Sequence, residues 1–212
     1  MWWSIMSDFD VVKKDDLGIL LIDNLYSEHE LKGIWYEIDH ISYIMDNSFN
    51  ENEKGKRREK HNAVDADGTS LMTGFGMTLD TFYKEREYSS ILSLNRRLAS
   101  DEVKLAMCNI NGENSAYNLV NQDYTLLNKY KVGETYKSHK DSSTFSALTF
   151  LAKDKINGGG VDFPEYNLSV PFKSNSCIIF PSRAFHNTQS FEAEVDRFTI
   201  AQFMNIVYIP GD

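Results

Sequence analysis

Apolar residues follow two different periods along this chain, and the change comes near residue 121. The run Gly18-Ile19-Leu20-Leu21-Ile22 is short, apolar and closed by the turn-prone pair Asp23-Asn24, which predicts a first strand with residues from 11 leading into it. Ser27 and Glu30 stand at capping-box spacing, and Leu31, Ile34, Trp35, Ile38 and Ile41 fall on one helical face, so a packing helix follows. Residues 46–76 lose both periods. They are polar and charged, and they read as a long, mobile surface segment that can act as a lid. Asp80 stands where it can cap a helix through Phe82, Tyr83, Ile91, Leu92 and Leu98, broken at Ser89-Ser90, and 101–110 is a shorter helical or extended piece. Beyond that the period shortens to two. Strands are expected over 122–130, 143–152, 160–163, 168–172, 176–180 and 196–208, separated by Gly, Pro and Asn turns.

This order of elements predicts an α+β chain and one domain over residues 1–212. Residues 1–121 supply N-terminal helices that buttress a sheet, leading strands and the mobile loop. Residues 122–212 form a metal-binding core, a double-stranded β-helix or cupin-like jelly roll. Such a barrel has an open mouth and an interior into which strand residues can project ligands.

Within the strand-rich half, His139 and Asp141 are separated by one residue, a period that on a strand points both side chains to one face. With His186 further on, two imidazoles and one carboxylate match the facial set that holds non-heme Fe(II) and leaves coordination positions open. His139, Asp141 and His186 are therefore the candidate metal ligands and catalytic centre. An H-x-D pair alone is weak evidence, but four features accompany it. Tyr124, Leu126, Asn128 and Tyr130 alternate on a strand just before it; Gly158-Gly159-Gly160 makes a tight turn into Val161-Asp162-Phe163-Pro164; the buried run Cys177 to Pro181 ends shortly before His186; and Arg197 and Thr199 share one face of the last strand. The other histidines, His29, His40 and His61, fall on helix or loop positions at the surface.

The composition is that of a soluble globular protein, 42% hydrophobic and 25% charged. A net charge of −9 argues against a broad nucleic-acid footprint, and the basic residues Lys54, Lys56, Arg57, Arg58 and Lys60 read as a solvated loop. Cys108 and Cys177 are too few for a disulfide scaffold or a thiolate zinc site, so reduced thiols are expected. Asp8 and Asp10 arrive before any apolar run long enough for a signal peptide or membrane span, and a cytoplasmic protein with no membrane partner is the expectation.

As an ordered set, Y-x2-G-x2-Y-x2-H-x-D, GG-x-x-F-P, F-P-x4-H and R-x-T resemble the prolyl 4-hydroxylase-type Fe(II)/2-oxoglutarate dioxygenases over roughly residues 122–205. The resemblance implies that His139, Asp141 and His186 hold Fe(II), that Arg197 binds the distal carboxylate of 2-oxoglutarate, and that Tyr130 and Thr199 also contact this cosubstrate. It implies an oxidoreductase that uses O2, with ascorbate as a further cofactor. The reaction would hydroxylate a C–H bond of a prolyl residue in a peptide or protein, with succinate and CO2 as coproducts. The guanidinium of Arg197 suits a carboxylate because its planar fork donates two parallel hydrogen bonds. Collagen-type members often carry lysine at that position, so a collagen-like substrate is not implied. For Tyr130 barrel packing is an alternative role, and Tyr136 either lines the substrate mouth or covers the strand end. Two rival readings stand beside this one: hydroxylation of a free amino acid or other small molecule, which calls for a closed pocket rather than a groove, and a non-catalytic jelly-roll binding module.

Overall fold

A computed structural model describes residues 9–47, 67–69 and 71–208. Strands β1 (Phe9–Lys14) and β2 (Leu17–Ile22) form an antiparallel hairpin. Helix α1 (Glu28–Asn47) starts as its sequence requires: the Ser27 N–H donates to Glu30 Oε2 at 2.8 Å and the Glu30 N–H to Ser27 Oγ at 3.3 Å, closing the capping box. Ile34, Ile38, Ile41 and Met45 bury one face of α1, and truncating one of these isoleucines to alanine would cost about 2–5 kcal/mol. Glu37 is buried beside them, where it accepts from Ser89 Oγ at 2.6 Å and the Ile91 N–H at 3.0 Å.

The middle of the chain departs from expectation. Strand β3 (Phe75–Thr78) occupies the end of the segment expected to be a surface loop, and Met72 and Phe75 are buried. At the other end, residues 46 and 47 continue α1. The basic run and His61 lie outside the described residues. The broken helix expected from Asp80 is divided further, into α2 (Leu79–Phe82), α3 (Ser90–Leu94) and 3₁₀ turns over Arg86–Tyr88 and Asn95–Ala99, followed by α4 (Asp101–Cys108). Asp80 caps nothing. Its carboxylate accepts the Thr125 N–H at 2.7 Å and pairs with Arg86, tying this region to the sheet. Ser89 supplies the break by capping α3, accepting from the Leu92 N–H at 3.0 Å.

The remaining strands are β4 (Gln122–Tyr130), β5 (Tyr136–His139), β6 (Phe145–Ala152), β7 (Asn157–Gly158), β8 (Val161–Phe163), β9 (Leu168–Val170), β10 (Ser176–Pro181), β11 (His186–Thr188), β12 (Phe191–Glu192) and β13 (Arg197–Asn205). A seven-stranded antiparallel sheet runs β1-β2-β10-β6-β13-β4-β3, a four-stranded sheet runs β5-β11-β8-β9, and β12 pairs with β7. This is the expected jelly roll with helices on the outer face of its larger sheet.

Strand alternation divides the core. Phe198, Ile200 and Met204 of β13 join Ile34, Ile38 and Ile41 under the helices. Ala201 and Phe203, on the opposite face, pack with Leu148, Phe150, Val161, Phe163 and Phe180 between the two sheets. Arg197 and Thr199 share that inner face by period. No helix among the described residues is long and apolar enough to cross a membrane.

Candidate active site

The minor sheet brings the two distant histidines together. β5 and β11 pair antiparallel with His139 directly opposite His186, and their ring centroids are 4.3 Å apart. Asp141 completes the group by a route that differs from the strand argument, because β5 ends at His139. The Asp141 N–H donates to the Ser182 carbonyl at 3.2 Å, and Ser146 Oγ donates to Asp141 Oδ2 at 2.5 Å. Ser182 Oγ lies 2.7 Å from both Ser143 Oγ and Ser146 Oγ, so the hydroxyl that touches the carboxylate is itself backed by two more.

One ligand atom from each of His139, Asp141 and His186 lies within 4.8 Å of the others. His139 Nε2 is 3.4 Å from Asp141 Oδ1, and His186 Nε2 is 3.5 Å from Asp141 Oδ2. Each imidazole is oriented through its other nitrogen: Nδ1 of His139 is 2.8 Å from the Lys137 carbonyl and Nδ1 of His186 is 3.1 Å from the Ala184 carbonyl. Since a carbonyl only accepts, Nδ1 carries the proton in both rings. Both Nε2 lone pairs then face the carboxylate, the tautomer that a metal ion needs.

Electrostatics favour the same protonation states. Burial pushes the His186 imidazole below its ordinary pKa, which keeps it neutral at pH 7. For Asp141 burial works upward, but its polar contacts with His139, His186 and the Ser146 hydroxyl together outweigh it and hold the carboxyl below its usual value. Phe180 meets the His186 ring edge-on at 4.9 Å, which keeps that side dry.

The triad opens on a cavity of about 340 Å³, counting the part open to solvent. Tyr130, Asn128, Thr199 and Thr188 line it, with Leu148, Ala201 and Phe203 as its apolar wall. Tyr136 also lines it, and its half-buried ring lies flat on His139 with centroids 3.7 Å apart and planes at 14°. Of the residues singled out in the sequence, the structure therefore gathers His139, Asp141, His186, Tyr130, Tyr136 and Thr199 around one cavity. Arg197 is adjacent rather than lining: it pairs across β4 with Tyr130, and its guanidinium carbon lies 4.9, 5.7 and 5.8 Å from the ring centres of Tyr130, Phe150 and Phe172. It is 0% exposed, and its Nε and Nη1 have no hydrogen-bond partner. Burial brings it down to about 10, against the opposing influence of Tyr130, so it stays charged at pH 7.

The glycine turn serves this corner. Gly159 has φ +74°, and a Cβ there would stand 3.1 Å from Arg197 Cδ and 3.0 Å from Ile156 Cδ1. Three contributors carried no assigned role in the sequence reading: Ser146 and Ser182, which hold Asp141, and Asn128. Of these only Asn128 had a local signal, as a polar residue at an inward position of β4.

No protein-family profile matches the chain, and no curated protein matches it. Solved structures do. A prolyl 4-hydroxylase from Pseudomonas putida superposes with a TM-score of 0.61 at 11% identity, over 91% of this chain and 95% of that one. A prolyl hydroxylase from Trichoplax adhaerens, solved in complex with a hypoxia inducible factor oxygen degradation domain peptide fragment, gives 0.62 at 16% identity, over 89% and 83%. The viral collagen prolyl hydroxylase of Paramecium Bursaria Chlorella virus-1, solved as its 2OG complex, gives 0.53 at 13% identity, over 89% and 96%. In fold, this chain is a prolyl 4-hydroxylase-like jelly roll.

Proposed function

We propose that this chain is an Fe(II)- and 2-oxoglutarate-dependent dioxygenase that hydroxylates a C–H bond of a prolyl residue in a peptide or protein. The observation that carries this reading is the pairing of two features in one site: a His-Asp-His cluster with both Nε2 atoms directed at the carboxylate, and a fully buried guanidinium beside it with two N–H groups unpartnered. A buried, unpaired charge costs several kcal/mol, and binding a dicarboxylate offsets that cost. The donor set fits as well, since two neutral imidazoles and one carboxylate suit a divalent first-row ion and leave positions open.

His139, Asp141 and His186 would hold the metal, Arg197 would bind the distal carboxylate of 2-oxoglutarate with Tyr130 beside it, and Thr199 would also contact this cosubstrate. When bound, Fe(II) and 2-oxoglutarate supply with O2 the oxidising equivalents that turn C–H into C–OH and release succinate and CO2. The chain's own residues do the positioning. The Lys137 and Ala184 carbonyls hold the imidazole tautomers, the serine cluster holds Asp141, and Phe180 excludes water beside His186. Tyr136, half-buried at the cavity and stacked on His139, is the substrate-side residue in this reading. A peptide substrate is supported by the peptide-bound Trichoplax adhaerens relative in fold. A single domain over residues 1–212 is supported by the pairing of β1, β2 and β3 into the sheet that carries Tyr130 and Arg197.

The test is a succinate-release screen with Fe(II) and 2-oxoglutarate against proline-containing peptides, free proline and other free amino acids. Peptide-dependent succinate is the expected outcome. Turnover on a free amino acid alone would move the substrate to the small-molecule class, and no succinate with any of them would contradict the reading.

A further inference from the structure

Asn128 is 6% exposed, lines the same cavity as the His-Asp-His cluster, and has a buried Oδ1 without a hydrogen-bond partner. Its cross-strand partner is Thr199, whose buried Oγ1 is likewise unpartnered. On the helix side of the same strands an equally buried polar group behaves differently: Lys129 meets Asp46, Asp196 and Ser42. An unpartnered buried amide or hydroxyl costs about 1–3 kcal/mol, so two adjacent ones aimed into one cavity mark a place where something polar binds.

What binds there follows from the neighbours. The Asn128/Thr199 row is the next inward row after Tyr130/Arg197, about 7 Å along the strands. One row offers a guanidinium and a phenol. The next offers only neutral groups that can donate, since a half-turn of the Asn128 side chain exchanges its amide oxygen and nitrogen and the Thr199 hydroxyl rotates freely. Beyond them come Leu126 and Ala201, which are apolar. Two donor rows separated by one strand repeat suit a ligand with an anionic group at each end.

We propose that Asn128, together with Thr199, binds the metal-proximal carboxylate end of a 2-oxo acid, so that the two ends of the cosubstrate are held by two successive rows of the β4–β13 pair. The inference rests on the 2-oxoglutarate reading above and assigns Asn128 a role in it. Asn128 donates through its amide and Thr199 through its hydroxyl; neither adds charge beside Asp141. An aspartate at position 128 would place a second anion against the ligand's carboxylate and would discriminate most strongly.

Equilibrium binding without turnover tests this. 2-Oxoglutarate is titrated calorimetrically into the Mn(II)-loaded protein in the absence of O2, for the wild type, Asn128→Asp, Asn128→Leu and Thr199→Val, and Mn(II) affinity is measured separately for each. Losing one hydrogen bond to a charged group should weaken 2-oxoglutarate about tenfold in Asn128→Leu and Thr199→Val, and by more in Asn128→Asp, with Mn(II) affinity kept within about twofold. Thr199→Val preserves shape and β-branching, so it keeps the test decisive if an Asn128 variant does not fold. 2-Oxoglutarate affinities that all stay within about twofold of wild type would overturn the proposal and leave Asn128 a packing or water-binding residue. A parallel loss of Mn(II) affinity would also overturn it, by placing the effect on the metal ligands. Wild-type protein that binds Mn(II) but no 2-oxoglutarate would defeat the cosubstrate reading itself, a separate failure.

Discussion

Lys129 and Arg197 are buried cations in neighbouring rows of the β4–β13 pair, on opposite faces of one sheet. Lys129 Nζ is 2.6 Å from Asp46 Oδ2, 3.1 Å from Asp196 Oδ2 and 2.8 Å from Ser42 Oγ. Burial opposes its charge, but the two aspartates more than compensate and its pKa is raised. Arg197 has aromatic rings around it and two N–H groups without partners, and burial brings it down to about 10. A cation that serves only the fold is closed by its own chain. One left open under rings, at the edge of a cavity, is what an anionic ligand from outside would need.

The contrast can be broken by substitution. The largest effect is expected from His139→Ala or Asp141→Ala, which should bring succinate formation to background and abolish any rise in melting temperature on adding metal. Retained turnover would remove the altered residue from the ligand set. Arg197→Met comes next. It should weaken 2-oxoglutarate by about 2–4 kcal/mol, roughly 30- to 1000-fold, while the ligand-free protein melts no lower than wild type because an unpaired buried charge has gone. A large drop in the ligand-free melting temperature would mean that Arg197 serves the fold, as Lys129 does.

Ser146→Ala removes the hydroxyl that holds Asp141 Oδ2 and should lower Mn(II) affinity by about 10- to 100-fold in a direct titration. Lys129→Met should do the reverse of Arg197→Met: a loss of about 1–3 kcal/mol in urea unfolding with 2-oxoglutarate affinity unchanged. The smallest effect is on pH. His186 has a folded pKa below its unfolded value of about 6.5, so its contribution is complete above that pH and is lost as the pH falls toward the folded value. Metal-free urea midpoints should therefore decline on acidification below about pH 6.5, and less steeply in His186→Gln.

Much of this was legible because it is local. The Ser27–Glu30 capping box, the apolar face of α1, and the inward alternation of Tyr130, Arg197 and Thr199 are each written within one element. The strand period that joins Asp141 to His139 in the sequence does not extend to it in the fold. Asp141 lies past the end of β5, and what aims it is Ser146 and Ser182, residues of other elements that no spacing rule connects to it. Asp80 looked like a helix cap but is taken up by Arg86 and the Thr125 N–H, contacts that exist only once the helical part meets the sheet. The sequence allows Tyr136 two roles, and its stacking on His139 depends on the bulged pairing of β5 with β11. Long-range contacts decide each of these, and a local pattern does not encode them.

Melting the protein anaerobically with Mn(II), with 2-oxoglutarate, with both and with neither tests the central claim most directly. Ligands that bind only the native state raise its melting temperature. Here Mn(II) should raise it, 2-oxoglutarate should add a further rise only when Mn(II) is present, and Arg197→Met should keep the first rise and lose the second. A wild-type melting temperature that responds to neither ligand would contradict the assignment of this cavity as a metal and 2-oxo acid site.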